Sequence, residues 1–401
     1  LTPHNRRDRH VAERKKRILW ANPYCMLDTS SGASMGIREM LRELKARGHE
    51  VRVLGATIFD SPQGVTRIKN HWDKIQASKQ AVITVNDGDL QHRLIKTRST
   101  TRAEMRADEE ARWYSAYVGL LDKFKPDIVM YYGGRTLDLL IGDEAHSRGI
   151  PVAAFLYNGN FSGTRWCRNV DTIITDSQAT ARHYKEKDGL TVTAVGQFVD
   201  TKAVVAKERS RENVLFINPS LAKGAAVVAS IAAKMSKERP DINFEVVESR
   251  GSWQQVVNGV VGQNQSLKNV TITKNTTDMR PVYARARLIL VPSLWWESFP
   301  RVAIEAMMNG IPALATNRGG LPEIIGNAGK IYDLPAKYYE APFNKIPDDS
   351  IVNRISKDII SIFDDDDVRT DFEQKALKRA PTLKKESSVD RLIDHLDAYW
   401  Q

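Results

Sequence analysis

Short apolar runs recur along the chain, each ended by glycine, proline or a polar residue, with amphipathic segments between them. Arg17–Asn22, Glu50–Gly55, Asp127–Tyr132, Val152–Tyr157, Asp171–Asp176 and Val192–Gly196 read as strands, and their nearly continuous apolar character suits a parallel sheet covered on both faces. Between them, Ile37, Met40, Leu41 and Leu44 mark one face of a helix closed by Gly48, and Trp113, Tyr117, Leu120, Leu121 and Phe124 mark another. A third runs over Thr136–Arg148 and stops at Gly149. The alternation starts again at Asn213–Asn218 and continues through Asn243–Val247, Asn269–Thr273, Arg287–Val291, Ile311–Thr316 and Lys330–Leu334. Helices follow at about 349–363 and 367–379, and the last, around Glu386–Trp400, carries Val389, Leu392, Ile393, Leu396 and Trp400 on one face. Strand–helix repetition of this kind predicts two α/β units, each with a mostly parallel sheet. The polar run Thr201–Glu212 reads as their linker.

Residues 56–100 give no clear period. Within them, Asn86-Asp87-Gly88-Asp89 contains an Asp-x-Asp pair that could hold a divalent metal, but Asp-Gly at its centre reads better as a hairpin turn. Asp364–Asp367 reads as a solvated, N-capped helix junction rather than a metal cluster.

Composition adds bounds. A chain of 401 residues suggests two domains with ample core. It has no apolar run long enough to span a membrane and no visible signal peptide, and its initial Leu is consistent with trimming from a longer product. Cys25 and Cys167 offer neither a disulfide framework nor metal-ligand spacing, and we expect both to be buried thiols in a reducing cytoplasm. Much of the formal net charge of +10 comes from the first sixteen residues. That stretch reads as a solvated tail, or as a patch drawn to an anionic membrane surface, which would place the protein peripherally on the inner face of the membrane. No aromatic is interleaved with its basic residues, which argues against a nucleic-acid platform.

In open α/β sheets, ligands sit beyond the carboxyl ends of the strands. That rule lines up the loops at 28–34, 133–135 and 158–161, and Ser177, along one crevice. In the second unit, the stretch Leu288–Ile324 places Glu297 in a loop and Glu305 on the helix expected after it, with Pro300 in its first turn. Eight residues of helix rise roughly 12 Å, too far for a shared proton and suited to two contacts on one extended ligand. The N–H groups of Ser298 and Phe299, at the expected helix start, could hold a phosphate between them.

The string Pro292-Ser293, Glu297, Glu305-Ala306-Met307, Gly310-Ile311-Pro312 and Gly319-Gly320-Leu321-Pro322-Glu323 resembles the signature of retaining glycosyltransferases of GT-B fold, family four, the glycosyl transferases group 1. The resemblance is dense from about 213 to 334 and looser before that. It implies two Rossmann-like domains facing across a cleft. Residues 17–200 would form the acceptor domain, with the helix at 385–401 packing back on it, and 201–384 the donor domain, after a basic tail at 1–16. The implied reaction is metal-independent, hexosyltransferase-like transfer from a nucleoside-diphosphate sugar of UDP or GDP type to an acceptor hydroxyl with configuration retained. The acceptor would be a glycan or lipid-linked molecule in cell-surface polysaccharide or glycoconjugate synthesis, and no cofactor is implied.

Residue by residue, the resemblance implies that Glu297 orients the donor sugar and that Glu305 accepts from the ribose hydroxyls. It places Lys223, of Lys223-Gly224, on the diphosphate, and Gly32 and Ser34 beneath the phosphates. Lys274, Asn275 and Thr276 would lie near the base. Three positions depart from the pattern. Ser31-Gly32 stands where two glycines are frequent, Asn218 where an arginine is usual, and Tyr157-Asn158 where many members have a histidine. Arg250 is the candidate replacement cation, and Asn158 could hydrogen-bond a hydroxyl but could not act as a base. Two other classes fit the same sequence: a sugar-nucleotide epimerase or phosphorylase on this architecture, and a non-catalytic module that binds sugar nucleotides or glycans.

Overall fold

The computed structural model of the protein describes residues 15–249 and 251–400, so the basic tail lies almost wholly outside the described residues. Two sheets organise the chain. The first contains β1 (Arg17–Ala21), β2 (Glu50–Ala56), β3 (Val82–Asp87), β4 (Leu90–Ile95), β5 (Ile128–Tyr131), β6 (Val152–Leu156), β7 (Thr172–Thr175) and β8 (Thr193–Ala194). The second contains β9 (Asn213–Ile217), β10 (Phe244–Val247), β11 (Val270–Thr273), β12 (Ala286–Val291), β13 (Ala313–Thr316) and β14 (Gly329–Tyr332). Their orders are β3-β4-β2-β1-β5-β6-β7-β8 and β11-β10-β9-β12-β13-β14. Every pairing is parallel except β3 with β4, the hairpin turned at Gly88 with φ +59°.

Each sheet is wound outward in both directions from one point. In the first, the chain leaves β1 towards β2 and later returns beside it as β5; in the second, β9 is flanked by β10 and β12. These are the topological switch points, where the loops at the strand ends diverge and leave a crevice. Asn22 Nδ2 donates to Tyr132 O at 2.5 Å, fastening the exits of β1 and β5 together.

The chain passes between the two hydrophobic cores at sharply defined places. Phe198 is buried in the core of the first domain and its neighbour Val199 in that of the second. The return crossing falls between Leu383, in the second core, and Val389, in the first. The last helix, Lys385–Leu396, lays Val389, Leu392, Ile393 and Leu396 against Ile37, Met40, Leu41 and Leu44 of the helix Gly32–Ala46. Ser388 Oγ donates to Gln197 O at 2.9 Å, and Lys385 N to Val199 O at 3.3 Å, so the two crossings lie side by side.

Several sequence expectations need correction. Residues 56–100 contain a 3-10 turn and a short helix, Lys69–Ala77, before the hairpin. A helix at Trp253–Val260 follows β10, where none was expected. Cys25 is buried, but Cys167 is only half-buried. The acidic run 364–367 is the expected N-capped helix junction, with Asp365 accepting from the N–H groups of Asp367 and Val368 at 2.9 and 3.1 Å. Among the described residues, no helix is long and apolar enough to cross a membrane.

Candidate functional site

The loops that leave β9 and β12 meet at the second switch point. Beyond β9, Asn218 adopts a left-handed φ of +64° and turns the chain, and Ser220 N donates to Asn218 O at 2.7 Å. A single turn, Leu221–Lys223, ends at Gly224, whose φ is +80°. A Cβ there would lie 2.0 Å from Pro292 O, so only glycine lets these loops approach so closely. The N–H groups of Leu294 and Trp295 both donate to Ala222 O, at 2.9 and 3.0 Å. This lacing brings Lys223 Nζ onto Glu297 Oε1 as an ion pair. Ser293 Oγ donates to the same oxygen at 2.6 Å. No described residue bonds Glu297 Oε2, the other oxygen of a carboxylate that is 6% exposed.

A glycine pair supports this arrangement from behind. Gly319 has a φ of +57°, and a Cβ on it would sit 1.8 Å from Glu297 O. Gly320 N donates to that carbonyl at 2.8 Å. Just before the pair, Arg318 lies with its guanidinium over the rings of Tyr339 (4.3 Å) and Trp296 (5.6 Å). Burial lowers its pKa, while the charge of Glu297 works the other way. Its Nε, Trp296 Nε1 and Asn218 Oδ1 are buried without a hydrogen-bond partner among the described residues. Buried polar atoms are normally satisfied, so these three are free to meet a polar ligand.

Glu305 stands one step further along. The helix begins at Arg301, with Pro300 as its extended N-cap, so Glu297 precedes it by four residues. The expected 12 Å helical separation therefore does not apply, and Ser298 and Phe299 are not helix-start amides. Phe299 is instead packed in the apolar core. Tyr283 Oη donates to Glu305 Oε2 at 2.6 Å, and Arg301 Nη2 pairs with Oε1 at 3.1 Å. Arg301 also reaches the first domain: Nη1 donates to Phe198 O at 3.2 Å, and a Cβ on Gly32 would lie 3.8 Å from its Cδ. Ser31 caps the helix that Gly32 begins, and Ser34 Oγ is buried with no hydrogen-bond partner among the described residues.

The two domains also touch directly. Ser298 Oγ donates to Asp176 Oδ1 and lies 2.8 Å from Thr180 Oγ1. Glu323 accepts from the N–H groups of Gln178 and Ala179, both at 3.1 Å, capping a first-domain helix, Gln178–Asp188, from the second domain. Burial pushes the Asp176 carboxyl up to about 7, and the hydrogen bond from Ser298 opposes that rise. On the same helix, His183 Nε2 lies 3.2 Å from Gly159 O, and its ring centroid is 5.0 Å from that of Trp296.

The remaining predicted residues are less central. Asn158 turns its own loop, its Oδ1 accepting from Asn160 N at 3.0 Å. Lys274 and Asn275 are exposed just past the edge strand β11, two strands from β9, and Thr276 Oγ1 accepts from Asp278 N at 3.2 Å. Arg250 lies outside the described residues. Arg301, Arg318 and His183 were missed. Arg301 could have been found as the cation one turn before Glu305, whereas His183 meets Trp296 only through the docking of the domains. Among the described residues, no group of three or more His, Cys, Asp or Glu side chains could hold a metal ion.

Two parallel α/β domains with facing switch points define a GT-B fold. Sucrose-phosphate synthase from Thermosynechococcus elongatus shares it, with a TM-score of 0.70 at 15% identity over 96% of this chain and 100% of that one. Residues 200–379, a little under half of the chain, match the family model of the glycosyl transferases group 1. Among curated proteins it is similar to spore coat protein SA of Bacillus subtilis, 29% identical over 140 residues, 32% of this chain. It is also similar to the O-antigen chain mannosyltransferase B of Escherichia coli, 30% identical over 117 residues, 29% of this chain. The matched segments span 37% and 26% of those two relatives' own lengths.

Proposed function

We propose that the protein transfers a sugar from a nucleoside-diphosphate donor to an acceptor hydroxyl, with the anomeric configuration retained. The observation that carries this reading is the pairing of Lys223 with Glu297 at the second switch point, in the loop that leads into the helix bearing Arg301 and Glu305. The match of residues 200–379 to the family model of the glycosyl transferases group 1 supports it.

In this reading Lys223 leaves Glu297 for the donor diphosphate, and Glu297, which keeps the hydrogen bond from Ser293, orients the sugar hydroxyls. Both Glu305 oxygens already hold a partner, so the ribose hydroxyls would use its remaining lone pairs. Arg301 takes over much of the role of the cation absent at Asn218, since it faces the Gly32 loop. Ser34 and the loop around Asn158 complete the cleft from the first domain. Lys274, Asn275 and Thr276 lie about 10 Å beyond β9 across the sheet, a span suited to the base of an extended nucleotide.

As the bond from the anomeric carbon to the phosphate oxygen breaks, negative charge grows on the leaving diphosphate, and prearranged cations stabilise it there. The acceptor oxygen bonds to the anomeric carbon on the face the phosphate leaves, and its proton passes to the departing phosphate oxygen. No enzyme base and no metal enters this scheme. The relative named a mannosyltransferase of O-antigen chains supports assembly of a surface glycan as the setting.

The test is turnover of UDP-, GDP- and dTDP-sugars with and without glycan acceptors. Release of nucleoside diphosphate that vanishes in Glu297→Ala and Lys223→Ala supports transfer. Tight binding without turnover, on every acceptor offered, would leave a sugar-nucleotide-binding module.

A further inference from the structure

We propose that a cavity in the first domain, apart from the Lys223–Glu297 loops, anchors a phosphomonoester on the acceptor; this rests on the reading of the cleft as a transfer site. The cavity has a volume of about 550 Å³ and is lined by Arg102, Arg135, Arg165, Glu110, Gly134 and Trp166, among others. That volume suits a sugar-sized ligand.

Its three arginines come from three separate segments: the turn Arg102–Glu104, the cap of the helix Thr136–Ser147, and the turn Arg165–Cys167. Arg102 is 5% exposed. Its Nη1 donates to Glu110 at 2.8 Å and its Nη2 lies 3.6 Å from Asp138, but Nε and Nη2 have no hydrogen-bond partner among the described residues. Trp166 Nε1 is another buried donor without one. The exposed guanidinium of Arg165 has neither an ion pair nor a hydrogen bond among the described residues, and that of Arg135, also exposed, acts at longer range on the buried Asp138 carboxyl of its own helix. The helix whose first residue, Thr136, lines the cavity adds its N-terminal amides to these donors. The three guanidiniums therefore face two carboxylates, Glu110 on the wall, bonded to Arg102, and the buried Asp138 behind it, which leaves an excess of donors.

Guanidiniums arriving from three directions match the tetrahedral oxygens of a phosphate better than the two coplanar oxygens of a carboxylate. One loop lies between the cavity and the cleft and packs against both. A Cβ on Gly134 would lie 2.7 Å from the ring of Phe161, and one on Gly159 of the same loop would lie 3.4 Å from Trp296, beside Glu297. An acceptor held by its phosphate at Arg135 and Arg165 would pass over this loop to offer a hydroxyl to the donor.

The phosphomonoester could sit on a soluble sugar or on a lipid headgroup, so calorimetry on the full chain uses glucose 6-phosphate and phosphatidic acid vesicles, with glucose and phosphatidylcholine vesicles as controls. One phosphorylated probe should bind while its control does not, and its affinity should fall at least tenfold in the double variant Arg135→Gln/Arg165→Gln. Both residues are exposed, so the variant should fold, with an unchanged affinity for UDP or GDP as the check. Binding of neither probe, binding unaffected by the double variant, or competition between the probe and the nucleotide would each overturn the proposal. A nucleotide that fails to bind the wild-type chain while a phosphorylated probe still does would remove the transfer reading and leave the anion site standing.

Discussion

Lys223 and Glu297 are ion-paired across the two loops at the second switch point, with Ser293 bonded to the same carboxylate oxygen. The pair lets each loop hold its shape while both groups wait for ligand. Lys223→Ala would leave the buried Glu297 without its cation. We predict a loss of about 1–2 kcal/mol in stability, between the values for exposed and buried pairs, because the lysine is about one-third exposed. Chemical denaturation of Lys223→Ala, Glu297→Gln and the double variant checks this. Strictly additive losses would contradict a working pair.

Glu305 and Glu297 should separate kinetically. Glu305→Gln keeps the size of a side chain held by Tyr283 and Arg301 but removes its charge, so nucleotide affinity should fall about tenfold with turnover at saturation largely kept. Glu297→Gln should lower turnover by at least about a hundredfold with donor affinity little changed. Equal effects on both parameters in the two variants would count against this division.

The contact between the domains should depend on pH through Asp176. Its carboxyl is raised from an ordinary 3.8 to about 7 by burial, against the hydrogen bonds from Ser298 and Thr175 and with a smaller upward push from Glu323. A raised carboxyl favours the folded, docked state when protonated. Its contribution is therefore complete below about pH 4 and is lost as pH rises through about 7. The melting temperature of the wild type relative to Asp176→Asn should fall from about pH 4 to pH 7 and level off above that. Parallel curves would show that Asp176 does not titrate there.

Gly319→Ala should be severe. The added Cβ would lie 1.8 Å from Glu297 O at a left-handed φ of +57°, so the turn must move and carry the Glu297 main chain with it. We expect a loss of more than about 2 kcal/mol together with activity. Gly48→Ala, which has open space around it and a φ of +95°, should cost only about 1 kcal/mol. Similar activities in the two purified variants would show that the close approach at Gly319 does not hold Glu297 in place.

Much of this was legible in the sequence because parallel strands buried on both faces are continuous apolar runs. Leu288–Val291, ended by Pro292, shows its strand, loop and glutamate in one line. The twofold winding followed from alternation alone. The helix start after Glu297 was misplaced, because Pro300 fits an N-cap as readily as a first turn, and the inferred spacing of the two glutamates went with it. The edge hairpin of β3 and β4 was legible only at its Asp-Gly turn, since its pairing with β2 is non-local. Contacts between the domains leave no period in the sequence. Ser298 with Asp176, Glu323 with the helix at Gln178, and His183 with Trp296 each join residues more than a hundred positions apart.

The central claim is that the Lys223–Glu297 loops grip the diphosphate and sugar of a nucleotide sugar. Calorimetric titration of UDP-, GDP- and dTDP-sugars into the wild type and Lys223→Ala tests it most directly. The account predicts that at least one of them binds the wild type, with an affinity at least tenfold weaker in the variant. Absence of binding to the wild type, or equal affinity for both proteins, would contradict it.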